Sequence, residues 1–241
     1  MAGHSHWAGI KHKKGRADKE RSKIFSKLSR ELTVAAKLGD KDPDMNARLR
    51  TAIQAAKQSN MPKDNIARAI SKSEISDDKN YENLRYEGFG ISNVAFIIET
   101  LTDNKNRSAS SIRTVLQKNG GRLGESGSAT HMFINCGIIQ FNKNKISEDE
   151  AFEIAINAGA KDCLNLEENF EVITEKEDFY KIKNELEKKI DTFSYSAIEW
   201  RANNYIDLKK EENDKILEIL SALEELDDVQ NIFTNVNLDK I

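Results

Sequence analysis

The run Val94-Ala95-Phe96-Ile97-Ile98-Glu99-Thr100-Leu101, followed by Thr102-Asp103-Asn104-Lys105-Asn106-Arg107 and then by residues 108–118, decides the fold. Its first eight residues are mostly apolar and rich in β-branched side chains, which predicts a buried strand. Residues 103–106 carry turn chemistry. Ile112, Val115 and Leu116 then recur at helical spacing over residues 108–118, and Asn119-Gly120-Gly121 ends that helix. A strand, a helix and a return make a β-α-β opening.

The alternation returns twice further along. Strands are expected at 138–141, 163–166, 170–174, 194–200, 205–208 and 229–236. Helices are expected at 147–157, 178–190 and 211–225, the first capped by Ser147 with Glu150 three residues on. In the last helix Ile216, Ile219, Leu220 and Leu223 should face inward. Split β-α-β order predicts ferredoxin-like α+β units. One complete unit spans residues 129–201, and residues 80–128 with 202–241 form the two halves of another into which the first is inserted.

Upstream the pattern is helical. Residues 1–17 read as an extended basic arm and residues 18–75 as a three-helix domain. In a helix at 18–38, Ile24, Phe25, Leu28, Leu32, Ala35 and Ala36 share one face, while Lys23, Lys27, Arg30 and Lys37 share the opposite one. Gly39 stops that helix. Pro43 and Asp44 open a second, with Met45, Leu49, Ala52, Ile53 and Ala56 inward and Arg50 and Lys57 across from them. Pro62 suits the first turn of a third, in which Ile66, Ala69 and Ile70 face inward. Residues 73–80 read as a polar linker. The fold class is therefore α+β: an N-terminal three-helix domain followed by two ferredoxin-like domains, one inserted in the other.

Charge separates the two parts. Residues 1–75 hold 17 Lys and Arg against 8 Asp and Glu, a net of +9, while the whole chain of 241 residues nets −3, leaving about −12 for residues 76–241. A polyanion is drawn to one end of such a molecule and repelled by the other, and nucleic acid is the first polyanion to consider. With 38% hydrophobic and 32% charged residues, the chain reads as a globular protein with a modest core. No apolar run approaches the roughly 20 residues of a membrane span, and the start lacks the apolar stretch of a secretory signal, so the cytosol is expected. Cys136 and Cys163 have no CxxC partner or nearby histidine pair and read as packed, inert thiols.

Several blocks resemble the YebC/PmpR family: Gly3-His4-Ser5 with Trp7-Ala8 and Ile10-Lys11-His12, Lys23-Ile24-Phe25, Arg30-Glu31-Leu32, Asn60-Met61-Pro62-Lys63-Asp64-Asn65-Ile66, Tyr86-Glu87-Gly88, Leu101 to Arg107, Gly120-Gly121 with Leu123-Gly124, and Leu226-Asp227-Asp228-Val229-Gln230-Asn231. The blocks are in order and span nearly the whole chain. The resemblance implies a helical bundle followed by two ferredoxin-like domains. It also implies a DNA-binding transcriptional regulator, or a translation factor acting at the ribosome as some relatives do. The chain departs from the pattern at His6, Gly9, Ile91-Ser92-Asn93 and His131.

The candidate nucleic-acid-binding residues are Trp7, Lys11, Lys13, Lys14 and Arg16 of the arm and Lys23, Lys27, Arg30 and Lys37 of the first helix. Lysine and arginine neutralise phosphates, and a tryptophan face can stack on a base. Arg50, Lys57, Lys63, Arg68 and Lys72 extend the patch. His4, His6 and His12 lack the acidic or thiol neighbours and fixed geometry of a metal site. The loop Gly120 to Gly127 lacks a P-loop ending and reads as a turn or hinge. His131 and Cys136 lack an orienting third group, so no catalytic set is expected. The acidic pair Glu167-Glu168 and residues 224–228 read as solvated faces, and residues 103–108 as a capped turn. No cofactor is expected. The expected partner is nucleic acid, duplex DNA or ribosomal RNA, with the ribosome as a further partner, no membrane, and a monomeric chain. The stripe is poor in Asn and Gln and no helix-turn-helix reader is evident, so phosphate contacts should outweigh base readout.

Overall fold

The computed structural model describes residues 17–74 and 81–238. Helix α1 (Ala17–Leu38) packs against α2 (Ala47–Gln58) and α3 (Lys63–Ser71). The core of this domain is Leu32, Leu49, Met61 and Ile66 set among alanines at 35, 36, 52, 56 and 69, whose small side chains let the helices approach closely. At 1.5 Å per residue α1 is about 33 Å long, nearly twice α2, so its first turns overhang. Ile24, expected inside, is therefore 38% exposed, while Val34, on the side facing α3, is buried.

The second helix begins later than Pro43-Asp44 suggested, and Met45, expected on its apolar face, is 77% exposed. The reason is Asn46. Its Oδ1 accepts from the Leu49 amide while its Nδ2 donates to Ala35 O at 2.8 Å and Asp40 O at 2.6 Å, so one side chain caps α2 and closes the end of α1. Gly39 is needed beside it, since an added Cβ would lie 2.6 Å from that amide nitrogen. Pro62 stands at the cap of α3 rather than inside its first turn.

The remaining described residues form two four-stranded sheets. The first contains β1 (Glu82–Phe89), β2 (Ala95–Thr102), β3 (Arg122–Leu123) and, from the far end of the chain, β8 (Val229–Thr234), in the order β3-β1-β2-β8 with antiparallel neighbours. Helices α4 (Lys105–Lys118) and α7 (Lys210–Glu224) cover one face around Phe96, Ile98, Ile112, Leu116, Ile216 and Leu220. The second contains β4 (Phe133–Asn142), β5 (Asp162–Asn165), β6 (Asn169–Glu175) and β7 (Tyr195–Ala202), ordered β5-β6-β4-β7. Helices α5 (Glu148–Ala158) and α6 (Phe179–Glu187) cover it around Ile139, Phe141, Phe170 and Phe179. This is the split β-α-β arrangement. The first sheet has the same spatial order in permuted form, because β1, the strand between β2 and β3, precedes both in the chain.

Elements of the sheet region differ from expectation as well. Strand β1 was not expected at all, because Arg85 and Glu87 replace apolar side chains on one of its faces. Strand β4 starts at Phe133 rather than at residue 138, and α4 starts at Lys105, so residues 105 and 106 are helix rather than turn. The expected strand at 205–208 contributes only the bridge Ile206 to Val236.

The sheets meet through an apolar cluster that includes Phe89, Ile97, Phe133, Trp200 and Phe233. The loop between them is held by Glu87. Its buried carboxylate accepts from the amides of Gly127 (2.9 Å), Ala129 (2.6 Å) and Thr130 (2.9 Å) and from the Thr130 hydroxyl (2.6 Å). Burial alone would raise this group, but the four donors outweigh it and hold the carboxyl at about 2.

Candidate nucleic-acid interface

The arm residues Trp7, Lys11, Lys13, Lys14 and Arg16, with the histidines at 4, 6 and 12, lie outside the described residues. The cations of α1 do not form the single wet face that the helical wheel implied. Lys23 is ion-paired with Glu225, just beyond the end of α7. Arg30 turns toward the first sheet and donates to Asp227 O at 2.7 Å, Leu101 O at 3.3 Å and Asp228 Oδ1 at 3.3 Å, with the Tyr81 ring 5.8 Å away. Lys27 is half-buried and Lys37 is exposed.

The turn 224–228, read from sequence as a solvated acidic face, is thus part of the fold at Asp228. That carboxylate also accepts from Arg107 through three guanidinium contacts of 3.0, 3.2 and 3.3 Å, from Ser108 Oγ at 2.7 Å and from Thr102 Oγ1 at 3.1 Å. Arg107 in turn reaches Asp103 at 2.7 Å. Residues 103–108 are therefore more than a capped turn: Asn104 caps α4, and Arg107 and Ser108 grip the start of β8. Arg30, Tyr81, Arg107 and Asp228 line a pocket of about 340 Å³ at this junction. The linkage was missed because Asp228 lies 198 residues from Arg30 and 121 from Arg107. The available signal was that both Asp103 to Arg107 and Asp227-Asp228 lie in blocks shared with the family.

A second concavity, a groove of about 650 Å³, runs between α1 and α3. Lys37, Arg68 and Lys72 stand exposed around it, Arg30 and Tyr81 also line it, and Ser22, Ser26 and Ser29 add hydroxyls along its α1 wall, while the Thr33 hydroxyl donates to the Ala69 carbonyl. Arg68 is steadied by Asn65 Oδ1 and by the Asp64 carbonyl. The wider candidate patch divides. Arg68 and Lys72 join Lys37 at the groove, whereas Arg50 is spent on the carbonyls of Pro43 and Asp44. Arg48, not singled out from sequence, pairs with Glu31 by donating from Nε and one terminal nitrogen to the two carboxylate oxygens at 2.6 and 2.9 Å. Exposed cations and hydroxyl donors in a trough between helices can bind phosphate oxygens without reading bases.

Glu167 and Glu168 are exposed, as expected. Both cysteines are free and buried, and burial pushes each thiol up to about 11, so neither is a thiolate near neutral pH. Among the described residues no three His, Cys, Asp or Glu side chains are grouped to hold a metal, and no helix is long and apolar enough to cross a membrane.

Residues 5–75 match the family described as TACO1/YebC protein N-terminal domain, and residues 81–236 match TACO1/YebC second and third domain. A "probable transcriptional regulatory protein" of Pelagibacter ubique (strain HTCC1062) is 54% identical over 237 residues, covering 98% of each chain. The crystal structure of a conserved hypothetical protein, Aq1575, from Aquifex aeolicus is similar with a TM-score of 0.82 and 41% identity over 96% of each chain.

Proposed function

We propose, from the premise that this chain belongs to the TACO1/YebC family, that it is a nucleic-acid-binding regulator of gene expression, with duplex DNA as its target and its helical end as the contact surface. The observation that carries this reading is the groove between α1 and α3, with Lys37, Arg68 and Lys72 exposed at its edges in the part of the chain that nets +9. The name of the Pelagibacter relative supports a role in transcription. Recognition is dominated by phosphate, since the surface offers few side chains suited to base edges.

A second reading, ribosomal RNA bound by the same surface, draws support from the placement of Arg30. Near the middle of α1, Arg30 is held by the Asp227 carbonyl and the Asp228 carboxylate, so a straight duplex laid along the whole helix would meet this acidic turn. The irregular backbone of folded RNA avoids that collision more easily.

The test is binding of a random-sequence duplex and of a structured RNA across a salt series, with sequencing of the nucleic acid that copurifies from cells. With about five phosphates contacted, the log-log slope on duplex DNA should be about −4 to −5. A slope near zero removes the reading, and a predominance of ribosomal RNA among the copurifying fragments selects the second form of it.

A further inference from the structure

The helical domain is joined to the rest of the molecule differently from the way the two sheets are joined. The sheets share an apolar cluster, whereas the apolar cluster of the helical domain contains no residue of either sheet. Polar bonds cross that boundary: Lys23 with Glu225, Arg30 with Asp227 and Asp228, Arg48 with Asn83 at 3.3 Å, Gln54 with Lys183 at 2.5 Å, and Gln58 with the Phe193 carbonyl at 3.3 Å. Two of the α1 cations offered by the sequence to a phosphate backbone are thereby held by carboxylates of the same chain.

We propose that the acidic turn from Glu225 to Asp228 is an internal competitor for α1. It occupies Lys23 and Arg30 in the closed form, and the phosphates of a nucleic acid displace it, so that binding and release of the helical domain from the turn are coupled. This inference rests on the nucleic-acid reading above.

Three features support the exchange. A carboxylate and a phosphate offer a guanidinium or ammonium the same kind of charged acceptor, so either can satisfy these cations. Asp228 is not abandoned when Arg30 leaves, because Arg107, Ser108 and Thr102 still donate to it. A half-buried carboxylate stripped of all its partners would oppose opening strongly. Finally, the outer pair is solvated, with side-chain exposure of 27% at Lys23 and 56% at Glu225, and such pairs hold weakly.

The full chain and its variants should be titrated against a labelled random duplex of about 20 bp and a labelled RNA hairpin at about 50 mM salt and above. Glu225→Gln removes the competing charge at an exposed position and should tighten binding about threefold or more. Its salt slope should steepen by about one, because Lys23 then exchanges a counterion for phosphate instead of exchanging Glu225. Adding Asp228→Asn should extend the gain to tenfold or more. A Lys23→Cys, Glu225→Cys pair joined by a short bis-maleimide provides a check that does not depend on Asp228 folding normally. The joined protein should bind at least tenfold more weakly than the same pair left unjoined. The native thiols are buried and should not compete for the reagent.

If wild type binds but Glu225→Gln binds equally or more weakly, or the cross-link changes nothing, the competition is overturned while nucleic-acid binding stands. If wild type and variants all fail to bind either probe, the nucleic-acid reading falls and the competition falls with it.

Discussion

Arg30 of the first helix and Asp228, in the turn just before the last strand, are 198 residues apart in sequence and 3.3 Å apart across the domain boundary. The same guanidinium donates to the Asp227 carbonyl at 2.7 Å. Arg30 is thus a docking residue before it is a phosphate ligand. A purely solvent-facing stripe would predict no change in stability when Lys23, Lys27 and Arg30 all become Gln. The bonding of Arg30 predicts instead that Arg30→Gln costs about 1–2 kcal/mol in urea denaturation, from lost charge-assisted hydrogen bonds. Lys23→Gln should cost less than about 0.5 kcal/mol, as exposed pairs do. Equal effects of the two changes would contradict this division of roles.

Glu87 predicts acid sensitivity. Its carboxyl is held at about 2 against an ordinary 4.5, so the ionised form is favoured by folding. The stabilisation is complete above the unfolded value and is lost as pH falls from about 4.5 toward 2. It amounts to roughly 3 kcal/mol at neutral pH. Glu87→Gln should remove most of it, loosen the 127–130 loop, and flatten the dependence of the unfolding free energy on pH below about 5. A variant that keeps the wild-type acid profile would show that the four donors do not act through the charge.

Glu199 predicts the opposite slope. It is buried on β7, and burial raises its carboxyl to about 7; Glu171 adds to the rise, while the Tyr195 hydroxyl at 2.9 Å and the Arg201 charge oppose it. The folded state therefore holds the proton more tightly than the unfolded chain. Stability should fall as pH rises from about 4.5 to 7 and remain lower above that, by roughly 3 kcal/mol. Glu199→Gln, neutral throughout, should melt higher than wild type at pH 8 and about equally at pH 5. Melting curves at both pH values decide it.

The arm predicts a loss of binding. Deleting residues 1–16 removes Lys11, Lys13, Lys14 and Arg16 and leaves α1, which begins at Ala17, intact. Affinity for duplex DNA or structured RNA should fall at least tenfold, equivalent to about 1.4 kcal/mol or more. The effect should be similar for any sequence, since phosphate contacts carry no base information. Filter binding of the truncated chain measures this, and unchanged affinity would exclude the arm as a contact surface.

Local chemistry was enough to determine the order and type of most elements. Leu28, Leu32, Ala35 and Ala36 mark a helix through spacing alone, the Ser147 and Glu150 pair marks its own capping box, and residues 94–101 mark a buried strand through a mostly apolar, β-branched run. The overall charge division is likewise a property of composition. What tertiary structure decided is the partner of each charged side chain. Arg85 and Glu87 made β1 too polar to read as a strand, yet Glu87 is satisfied by amides 40 to 43 residues away. Arg30 shares a helical face with Lys37, yet one is drawn to Asp228 and the other is exposed, because only one lies opposite the turn before β8. Periodicity reports which way a side chain points from its own helix. It carries no information about what the folded chain brings to meet it.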